Sequence, residues 1–396
     1  MKIFLYWMPL METKKMRILL IIPGLSPAFS EAFYLYKEIA DKGNQILVIT
    51  AQRVIKKDKN KYLDKIEDHE NIKILRLFKK PQDINNWMKI LIKFKTTYQN
   101  IIQFCPDIIL CSQQSNMKLA FLLKRIIRIP IVLIMEKIYD PLKPNILLRK
   151  RAYLGINFLG NILGYFYWTW IYRNADSVIT ANFNDEKNFR KIERKNKKLN
   201  FVQWPSFPPV IEFDSVIRDD NRAVFIGNFT RHKNLNEFSK TIPKLIENTK
   251  LKEFIIVGDG KETKAINNLT KRYPNNIKHI RALSREKCLE LIAGSYFTYN
   301  PSIGGSWGLI LDTWAAKTAL VVSHNHFNFQ DNEDCLIVTK ENIVDKINLL
   351  YNNKDIYKQI VNGGYNRYLR QHSNAAIAEL YLKIISKTLN KESEYL

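Results

Sequence analysis

The chain of 396 residues is longer than a usual single hydrophobic core, and its 46% hydrophobic and 12% aromatic content excludes a disordered protein. Two packed domains are therefore expected. The four cysteines form neither a CxxC pair nor a Cys/His cluster, so the sequence predicts reduced thiols in a cytoplasmic protein and no metal site.

The positive charge is concentrated in the first half of the chain. Residues 1–204 contain 36 basic and 17 acidic residues, a net charge of +19, and the remainder contains 26 and 21, a net charge of +5. Such a field attracts nucleic acid, an anionic membrane leaflet or a phosphorylated substrate. A general drift toward a lysine-rich composition is the alternative, although drift alone would have spread the excess of basic residues over both halves of the chain. Without an RNP-like pattern, a helix-turn-helix signature or a zinc knuckle, nucleic acid is not favoured as a partner.

Two apolar segments bear on membrane contact. Residues 1–15 form an N-terminal extension with no small-residue cleavage site, which makes a poor secretory signal. Ala152–Tyr172 is uncharged over 21 residues and is flanked by Arg149–Arg151 and Arg173. Its length could span a bilayer, but its dense Tyr/Trp end favours a helix lying in the membrane interface. Ordinary burial in the first domain is the alternative.

The first half alternates strand and helix patterns. Arg17–Pro23 is a continuous apolar run, as in a parallel strand covered on both faces, and Ser30–Lys42 has helical spacing that stops at Gly43. Alternation at this spacing indicates βαβ units, so residues 16–204 are predicted to form a Rossmann-like, doubly wound domain. Its other predicted strands are Gln45–Thr50, Ile72–Leu77, Pro106–Cys111, Pro130–Met135, Ala175–Thr180 and Phe201–Val202, and its other predicted helices are Ile84–Phe104 and Met117–Ile127.

The alternation restarts after a proline-rich and acidic linker at residues 205–221. Residues 222–372 are predicted to form a second Rossmann-like domain, followed by a C-terminal helix at 373–396. Open sheets of this kind bind ligands at the carboxyl ends of their strands, which in a pair of domains face the cleft between them. The predicted strands of the second domain are Ala223–Phe229, Phe254–Gly258, Ile277–Ile280, Tyr296–Asn300, Leu320–Ser323 and Leu336–Thr339.

Three glycine-containing turns follow predicted strands of the second domain. Phe225–Asn234 (FIGNFTRHKN) places Arg231 and Lys233 at the start of a helix, where free N–H groups and two cations suit a diphosphate. Val257–Gly260 (VGDG) permits a tight turn, and Asn300–Leu309 (NPSIGGSWGL) opens onto a helix with a nest of N–H donors. A solvated basic turn and purely structural glycine turns are the alternatives.

The order and spacing of these turns resemble the family-4, or group 1, glycosyltransferases of the GT-B fold. The resemblance is strongest over residues 222–372 and implies two Rossmann-like domains facing across a cleft. It also implies sugar transfer from a nucleotide-sugar with retention and without a metal, with Lys233 and Arg231 neutralising the leaving diphosphate. The donor-binding residues that it implies are Gly227, Asn234, Gly258, Asp259, Gly260, Ser302, Gly304, Gly305, Ser306, Trp307, Gly308 and Leu309, and the looser likeness of the first half adds a cleft loop with Gly24 and Glu31.

The chain departs from the family pattern at its acidic positions. The family usually has two glutamates eight residues apart around the [FW]-G-L segment, and here those places fall on Gly305 and Thr313. Asp312 adjoins the second place, so we expect it to substitute there and to contact a ribose or a backbone amide of the 304–308 turn. The arginine usual after the Gly227 position is Asn228, with Arg231 as its replacement.

These features favour a cytoplasmic glycosyltransferase, peripheral on the inner membrane face. Its substrates would be a nucleotide-sugar and a lipid-linked or cell-surface glycan acceptor, with no cofactor, and its basic domain would meet an anionic membrane. The alternative is a catalytically degenerate scaffold or partner subunit of a glycan-assembly complex. An epimerase of the same fold is less favoured, because its chemistry needs acid and base groups in the cleft.

Overall fold

The computed structural model describes residues 15–25, 31–52, 62–112, 117–135, 166–167, 169–181, 198–202, 213–303, 307–325 and 328–393. These residues form two compact units. The first unit combines residues 1–205 with the C-terminal segment 377–396, and the second unit is residues 206–376. Each unit is built around its own sheet.

The first unit contains an eight-stranded sheet in the order β3-β4-β2-β1-β5-β6-β7-β8, parallel except for the pairing of β3 with β4. Because each central strand is buried along its length, helices must cover both faces, as in a doubly wound fold. The strands are β1 (Arg17–Ile21), β2 (Gln45–Ala51), β3 (Ile66–His69), β4 (Ile72–Phe78), β5 (Ile108–Ser112), β6 (Ile131–Met135), β7 (Ser177–Thr180) and β8 (Leu199–Phe201).

Alternate side chains of these strands face two separate cores. Leu19 and Ile21 of β1 point into a core covered by α2 (Trp87–Phe104), α3 (Met117–Ile127) and the helical segment 169–174. Ile18 and Leu20 point to the other face, against α1 (Glu31–Asp41). The predicted continuous apolar strand is therefore confirmed by its two-sided burial.

Two local predictions in this unit need correction. The helix expected from Ile84 begins at Trp87, after a 3-10 turn at Pro81–Asn85, because Asn86 adopts an extended conformation and caps the helix by accepting from the N–H of Met88. No strand is predicted in the charged segment that precedes Ile72, but this segment contains the short strand β3, in which exposed and half-buried side chains alternate as on an edge strand.

The second unit contains a six-stranded parallel sheet in the order β11-β10-β9-β12-β13-β14. Its strands are β9 (Asp219–Ile226), β10 (Glu253–Val257), β11 (Ile277–Ile280), β12 (Ser295–Asn300), β13 (Ala319–Val322) and β14 (Leu336–Ile337). Its helices are α4 (Leu235–Asn248), α5 (Thr263–Arg272), α6 (Arg285–Ala293), α7 (Trp307–Ala315), α8 (Ile343–Asn352) and α9 (Lys354–Gln371).

Strand β9 begins and ends earlier than predicted. It starts at Asp219, inside the predicted linker, because Asp219 N–H bonds to the Gly294 carbonyl (2.9 Å) and its backbone pairs with Ser295. It ends at Ile226, because the following residues turn toward the end of β10. Strands β9 and β12 are neighbours in the sheet, but the chain continues from β9 to β10 on one side and from β12 to β13 on the other. The carboxyl edge between β9 and β12 is therefore a topological switch point, where α/β folds bind ligands.

The C-terminal helix α10 (Asn374–Ser393) returns to the first unit. Its residues Ile377, Tyr381 and Ile385 are buried in the core that also contains Ile18 and Leu20. Thr388 Oγ1 and Ser177 Oγ on β7 form a buried hydrogen bond of 2.8 Å. The first unit is therefore assembled from both ends of the chain, a feature that the predicted separate C-terminal helix did not include.

Among the described residues, no helix is long and apolar enough to cross a membrane. Most of the uncharged Ala152–Tyr172 segment, with Trp168, lies outside the described residues. In its described part, Ile171 and Tyr172 are fully buried, whereas Phe166 and Trp170 are 63% and 37% exposed. Burial and exposure thus alternate within the end of this segment.

Replacing Ile385 by Ala should destabilise the first unit. The side chain is fully buried, so its loss removes transfer free energy and leaves a cavity, which together cost about 2–5 kcal/mol of the free energy of unfolding. Urea denaturation measures this loss, with the 42%-exposed Leu380→Ala on the same helix as the matched control. Equal small effects for both variants would contradict the packing of α10 in this core.

Candidate functional site

The turns after β9 and β10 are joined by their backbones. Gly227 N–H bonds to the Val257 carbonyl at 2.9 Å, and Phe229 N–H bonds to the Asp259 carbonyl at 2.9 Å. A further bridge pairs Phe229 with Gly260. These bonds continue the sheet pairing beyond both strands and fix the two turns at the carboxyl edge.

Gly258 and Gly260 permit this contact because neither has a side chain. Their φ angles are +147° and +154°, which L-residues rarely adopt. A Cβ on Gly258 would lie 1.9 Å from the Gly227 carbonyl oxygen, and a Cβ on Gly260 would lie 2.5 Å from that of Phe229. Packing between the two turns therefore requires both glycines, whether or not a ligand approaches them.

Asp259, which the sequence assigned to donor binding, forms hydrogen bonds within its turn and with two residues outside it. Its Oδ1 accepts from Thr263 Oγ1 (2.7 Å) and from Gly260 N–H (2.8 Å), and its Oδ2 accepts from Arg281 Nη2 (2.6 Å). The hydrogen bonds from Thr263 and Arg281 lower the pKa of Asp259 to about 2. Its carboxylate fastens the turn to α5 and to the exposed Arg281.

The basic turn Arg231–Lys233 is a short 3-10 turn that ends at Asn234, whose φ of +52° is left-handed. Arg231 and His232 are exposed, whereas Lys233 is half-buried. The Lys233 Cε lies 3.6 Å from the place of a Cβ on Gly227, so the lysine stem lies across the first glycine turn. Burial lowers the pKa of Lys233, because desolvation disfavours the ammonium.

The third turn lies beside this basic turn. Ile303 N–H bonds to the His232 carbonyl at 2.9 Å. The buried Ser302 donates its hydroxyl to Asn300 Oδ1 at 2.7 Å, which shapes the turn at the end of β12. The structure therefore brings the start of the Asn300–Leu309 motif to the Arg231–Lys233 turn. The two turns meet because they follow the adjacent strands β12 and β9. Gly304, Gly305 and Ser306 lie outside the described residues.

Helix α7 begins at Trp307, directly after those residues. Gly308 is exposed in the first turn, and Leu309 is buried. The first-turn N–H groups of a helix have no intrahelical acceptors, so this end offers donors to an anion or to sugar hydroxyls. Trp307 also packs on the buried His372, with 4.9 Å between ring centroids.

The two positions considered for the acidic role have other contacts. Asp312 forms a two-point ion pair with Arg285 of α6, with Nη2–Oδ1 and Nη1–Oδ2 distances of 2.8 and 3.1 Å. Its partner in the structure is therefore a guanidinium, and the expected contact with a ribose or a nearby backbone amide stays a prediction. Thr313 is fully buried and donates to the Leu309 carbonyl at 2.7 Å. Arg285 is not identifiable from the sequence, because a charged residue at a helix start gives no sign of a partner on another helix.

The loop after β1 contains the predicted Gly24, which is half-buried with open space around it. Glu31 is the first residue of α1, and its side chain lies outside the described residues. Arg76, which the sequence did not single out, supports this loop. It is fully buried, donates to the Leu25 carbonyl at 3.2 Å and pairs with Glu67. The signal was present, because Arg76 is a charge within the apolar run of β4.

Among the described residues, no three His, Cys, Asp or Glu side chains come together as metal ligands would. The lysine and arginine of the basic turn would have to supply the positive charge for a diphosphate. Metal-independent chemistry stays a prediction.

Comparison with solved structures assigns the fold. Sucrose-phosphate synthase from Thermosynechococcus elongatus superposes with a TM-score of 0.64 at 15% identity, covering 94% of this chain and 100% of that one. The Anabaena protein HepE in complex with UDP gives 0.61 at 12% identity over 94% and 100%. The trehalose-6-phosphate synthase OtsA gives 0.65 at 10% identity over 94% and 98%. The chain therefore has the GT-B fold, with two Rossmann-like domains.

Sequence comparison assigns the second domain. Residues 220–353 match the model of the family described as glycosyl transferases group 1. The chain is also 25% identical over 234 residues to a Campylobacter jejuni protein, the GalNAc-alpha-(1->4)-GalNAc-alpha-(1->3)-diNAcBac-PP-undecaprenol alpha-1,4-N-acetyl-D-galactosaminyltransferase. That match covers 55% of this chain and 62% of the relative, so the chain spans about three fifths of the relative's length. The expected resemblance to group 1 is confirmed for this domain.

Replacing Gly258 by Ala should open the joined turns. The new Cβ would collide with the Gly227 carbonyl oxygen, and the positive φ adds strain, so the free energy of unfolding should fall by about 2 kcal/mol or more. Gly308→Ala is the matched control, because a Cβ there meets nothing within 4 Å and Ala favours a helix. Thermal denaturation of both variants is the measurement. A lower melting temperature for Gly258→Ala alone would support close packing of the two turns, and an equal loss in both variants would contradict it.

The buried His372 should make stability depend on pH. Burial and then the nearby Arg367 lower its pKa from 6.5 to about 4, so the unfolded chain takes up its proton at a higher pH than the folded chain. The neutral, buried His372 therefore contributes about 3 kcal/mol to the free energy of unfolding. This stabilisation is present in full above pH 6.5 and is lost as the pH falls through 4. Urea denaturation between these pH values measures it, and His372→Phe should flatten the slope. An unchanged slope in the variant would contradict the assignment.

Proposed function

We propose that this protein transfers a sugar from a nucleotide-sugar to a lipid-linked or cell-surface glycan acceptor, with retention and without a metal or other cofactor. The observation that carries the proposal is the half-buried Lys233, held across the Gly227 turn at the carboxyl edge of a group 1 domain. In the reaction, the bond from the anomeric carbon to the donor phosphate oxygen breaks. The acceptor hydroxyl oxygen bonds to that carbon and loses its proton, and a nucleoside diphosphate leaves.

The basic turn can stabilise the leaving diphosphate. Charge builds on the bridging oxygen as its bond to the sugar breaks, so a fixed cation there stabilises the transition state more than the ground state. Lys233 is partly removed from water, which strengthens its attraction to an anion. The exposed Arg231 can reach outward to the same phosphates and bind two oxygens at once.

Two helix starts add to this charge. Helix α4 begins at Leu235, immediately after Asn234, and points its positive end at the same edge. Helix α7 begins at Trp307, and the N–H groups near Gly308 and Leu309 can hold sugar hydroxyls. Gly304, Gly305 and Ser306 stay predicted contacts of the sugar, and Gly24 stays a predicted residue of the acceptor-binding domain.

The comparisons support the substrate classes. HepE was solved with UDP, and the name of the Campylobacter relative contains a PP-undecaprenol acceptor. By analogy, we propose a uridine-type nucleotide-sugar donor and a polyprenyl-diphosphate-linked acceptor. Such an acceptor would place the protein on the inner membrane face, and the basic residues of the first half would meet its anionic lipids.

A catalytically degenerate scaffold is the second candidate, and the contacts of the acidic positions favour it. Thr313 is buried with its hydroxyl engaged, and both oxygens of Asp312 bond to Arg285. A scaffold would bind a nucleotide diphosphate without releasing one from its sugar. Release of nucleoside diphosphate in the presence of membrane extract distinguishes the two functions.

Replacing Lys233 by Ala should reduce turnover by about 2–4 kcal/mol of transition-state stabilisation, or about thirty- to a thousandfold in kcat/KM. The physical reason is the loss of the cation beside the leaving diphosphate. The measurement is nucleoside diphosphate release with a panel of nucleotide-sugars and membrane extract. Lys240→Ala is the matched control, because Lys240 is exposed on α4, away from the turn.

Binding supplies the complementary measurement. Nucleoside diphosphates should raise the melting temperature of the unaltered protein, since a ligand specific to the folded state stabilises it, and should raise that of the Lys233 variant less. Turnover in the Lys233→Ala variant equal to that of the Lys240 control would remove the turn from the mechanism. Binding without turnover in the unaltered protein would favour the scaffold.

A further inference from the structure

Three helices cover one face of the sheet in the first unit. Helix α2, helix α3 and the helical segment 169–174 all bury residues in one core beneath them, among them Ile90, Leu119 and Ile171. Two ring contacts connect these helices. Lys118 Nζ of α3 lies 5.8 Å from the ring centroid of Trp87 on α2. The buried Phe121 of α3 packs edge-on against Trp170, with 4.9 Å between ring centroids. Helix α3 therefore contacts both the start of α2 and the helical segment 169–174.

Helix α2 has a second apolar face, which the described part of the chain leaves exposed. Its buried residues, Ile90, Thr97 and Ile101, form one narrow stripe. On another side of the helix lie large apolar side chains that span about 140° at 100° per residue. These are Trp87, Met88, Leu91 and Ile92, with exposed fractions of 47%, 67%, 60% and 68%.

Aromatic side chains continue this face beyond α3. Phe166, Tyr167 and Trp170 are 63%, 38% and 37% exposed. Trp and Tyr combine an apolar ring with a polar group, so they favour the boundary between lipid and water. A soluble surface seldom gathers this many large exposed apolar side chains without a partner.

The charge around the apolar face is entirely positive on α2. Lys89, Lys93 and Lys95 are exposed, and the helix sequence from Trp87 to Phe104 contains no acidic residue. Lysine stems can lie along apolar surface while their ammonium groups reach outward. On the helix, Lys89 and Lys93 follow the apolar arc on one side, and Lys95 lies within the arc one turn after Leu91. A surface that is both apolar and positively charged is complementary to an anionic bilayer, where acyl chains lie below a layer of negative headgroups.

We propose that the α2 surface, defined by Trp87, Met88, Leu91, Ile92 and the three lysines, docks on an anionic lipid bilayer with α2 lying in the membrane plane. Phe166, Tyr167 and Trp170 lie at the edge of the contact. This proposal rests on the proposed function and deepens it by naming an element that faces the membrane. Interfacial insertion of Ala152–Tyr172, most of which lies outside the described residues, stays a separate prediction.

Co-sedimentation of the full chain with vesicles tests the surface. The vesicles contain phosphatidylglycerol and phosphatidylcholine, with phosphatidylcholine alone for comparison. The triple substitution Lys89→Gln, Lys93→Gln and Lys95→Gln should weaken binding to the anionic vesicles by about fivefold per lysine, or on the order of a hundredfold. Lys240→Gln, Lys244→Gln and Lys271→Gln, at exposed positions of the second unit, remove the same charge and should change binding far less.

The apolar contribution has its own variant. Leu91→Ser with Ile92→Ser should weaken binding by about tenfold or more and should abolish the fraction that salt does not release, since salt screens only the charges. Leu349→Ser with Leu380→Ser is the matched control, because both leucines are 42% exposed and lie outside α2. Circular dichroism checks that each variant is folded.

Insertion can be read directly from tryptophan fluorescence. Lipids brominated in their acyl chains should quench Trp87, and Trp87→Phe should remove that part of the quenching. The buried Trp314 of the second unit supplies fluorescence that such lipids should leave unquenched.

Three results would overturn the proposal. These are equal binding of the α2 variants and their controls, complete release of the unaltered protein by moderate salt, and a monomer–dimer change on Leu91→Ser/Ile92→Ser with unchanged vesicle binding, which would assign the surface to a second copy of the chain. None of these measurements needs turnover. The surface therefore stands or falls separately from the Lys233 experiment.

Discussion

The close backbone contact between two turns governs the arrangement of the candidate site. Gly258 lies so near the Gly227 carbonyl oxygen that no side chain fits between them, and the Phe229–Gly260 bridge extends the same contact. Because the turns are fixed to each other, the Arg231–Lys233 turn has a defined position, and the Ile303–His232 hydrogen bond then places the Asn300 turn beside it. Three loops from separate strands thus meet at one edge of the sheet. Preorganisation of this kind lets a few charged groups act on a diphosphate without first being ordered by it.

Charged side chains at this edge have different surroundings. The cations remain near the switch point, with Lys233 partly desolvated. The aspartate that could have replaced a missing glutamate is bonded to Arg285 across two helices, and Thr313 is turned into the helix core. In the proposed function, the leaving diphosphate would therefore be bound by the basic turn and the helix starts. This separation between anion binding and acid positions is why a scaffold remains the competing function.

The first domain has different physical demands. Its sheet is buried on both faces, yet one covering helix, α2, is apolar on its outer side as well. A helix that packs on a core normally has a polar outer face, so the exposed Trp87 and Ile92 call for a partner. The lysines on the same helix suit a negatively charged partner. The opposite face is closed by α10, which arrives from the far end of the chain and seals the core through Ile377 and Ile385.

The sequence by itself determined the alternation of strands and helices, the two Rossmann-like domains and the three glycine turns, because apolar runs, helix spacing and glycines act locally. It also predicted that Lys233 and the VGDG turn lie near each other at the carboxyl edge of the second sheet, because each follows an apolar strand. Tertiary structure decided the rest. The need for glycine at Gly258 comes from a carbonyl some thirty residues away, and the partner of Asp312 lies on another helix. The return of α10 to the first domain and the buried Arg76 under Leu25 likewise depend on contacts between distant segments, which no local pattern encodes.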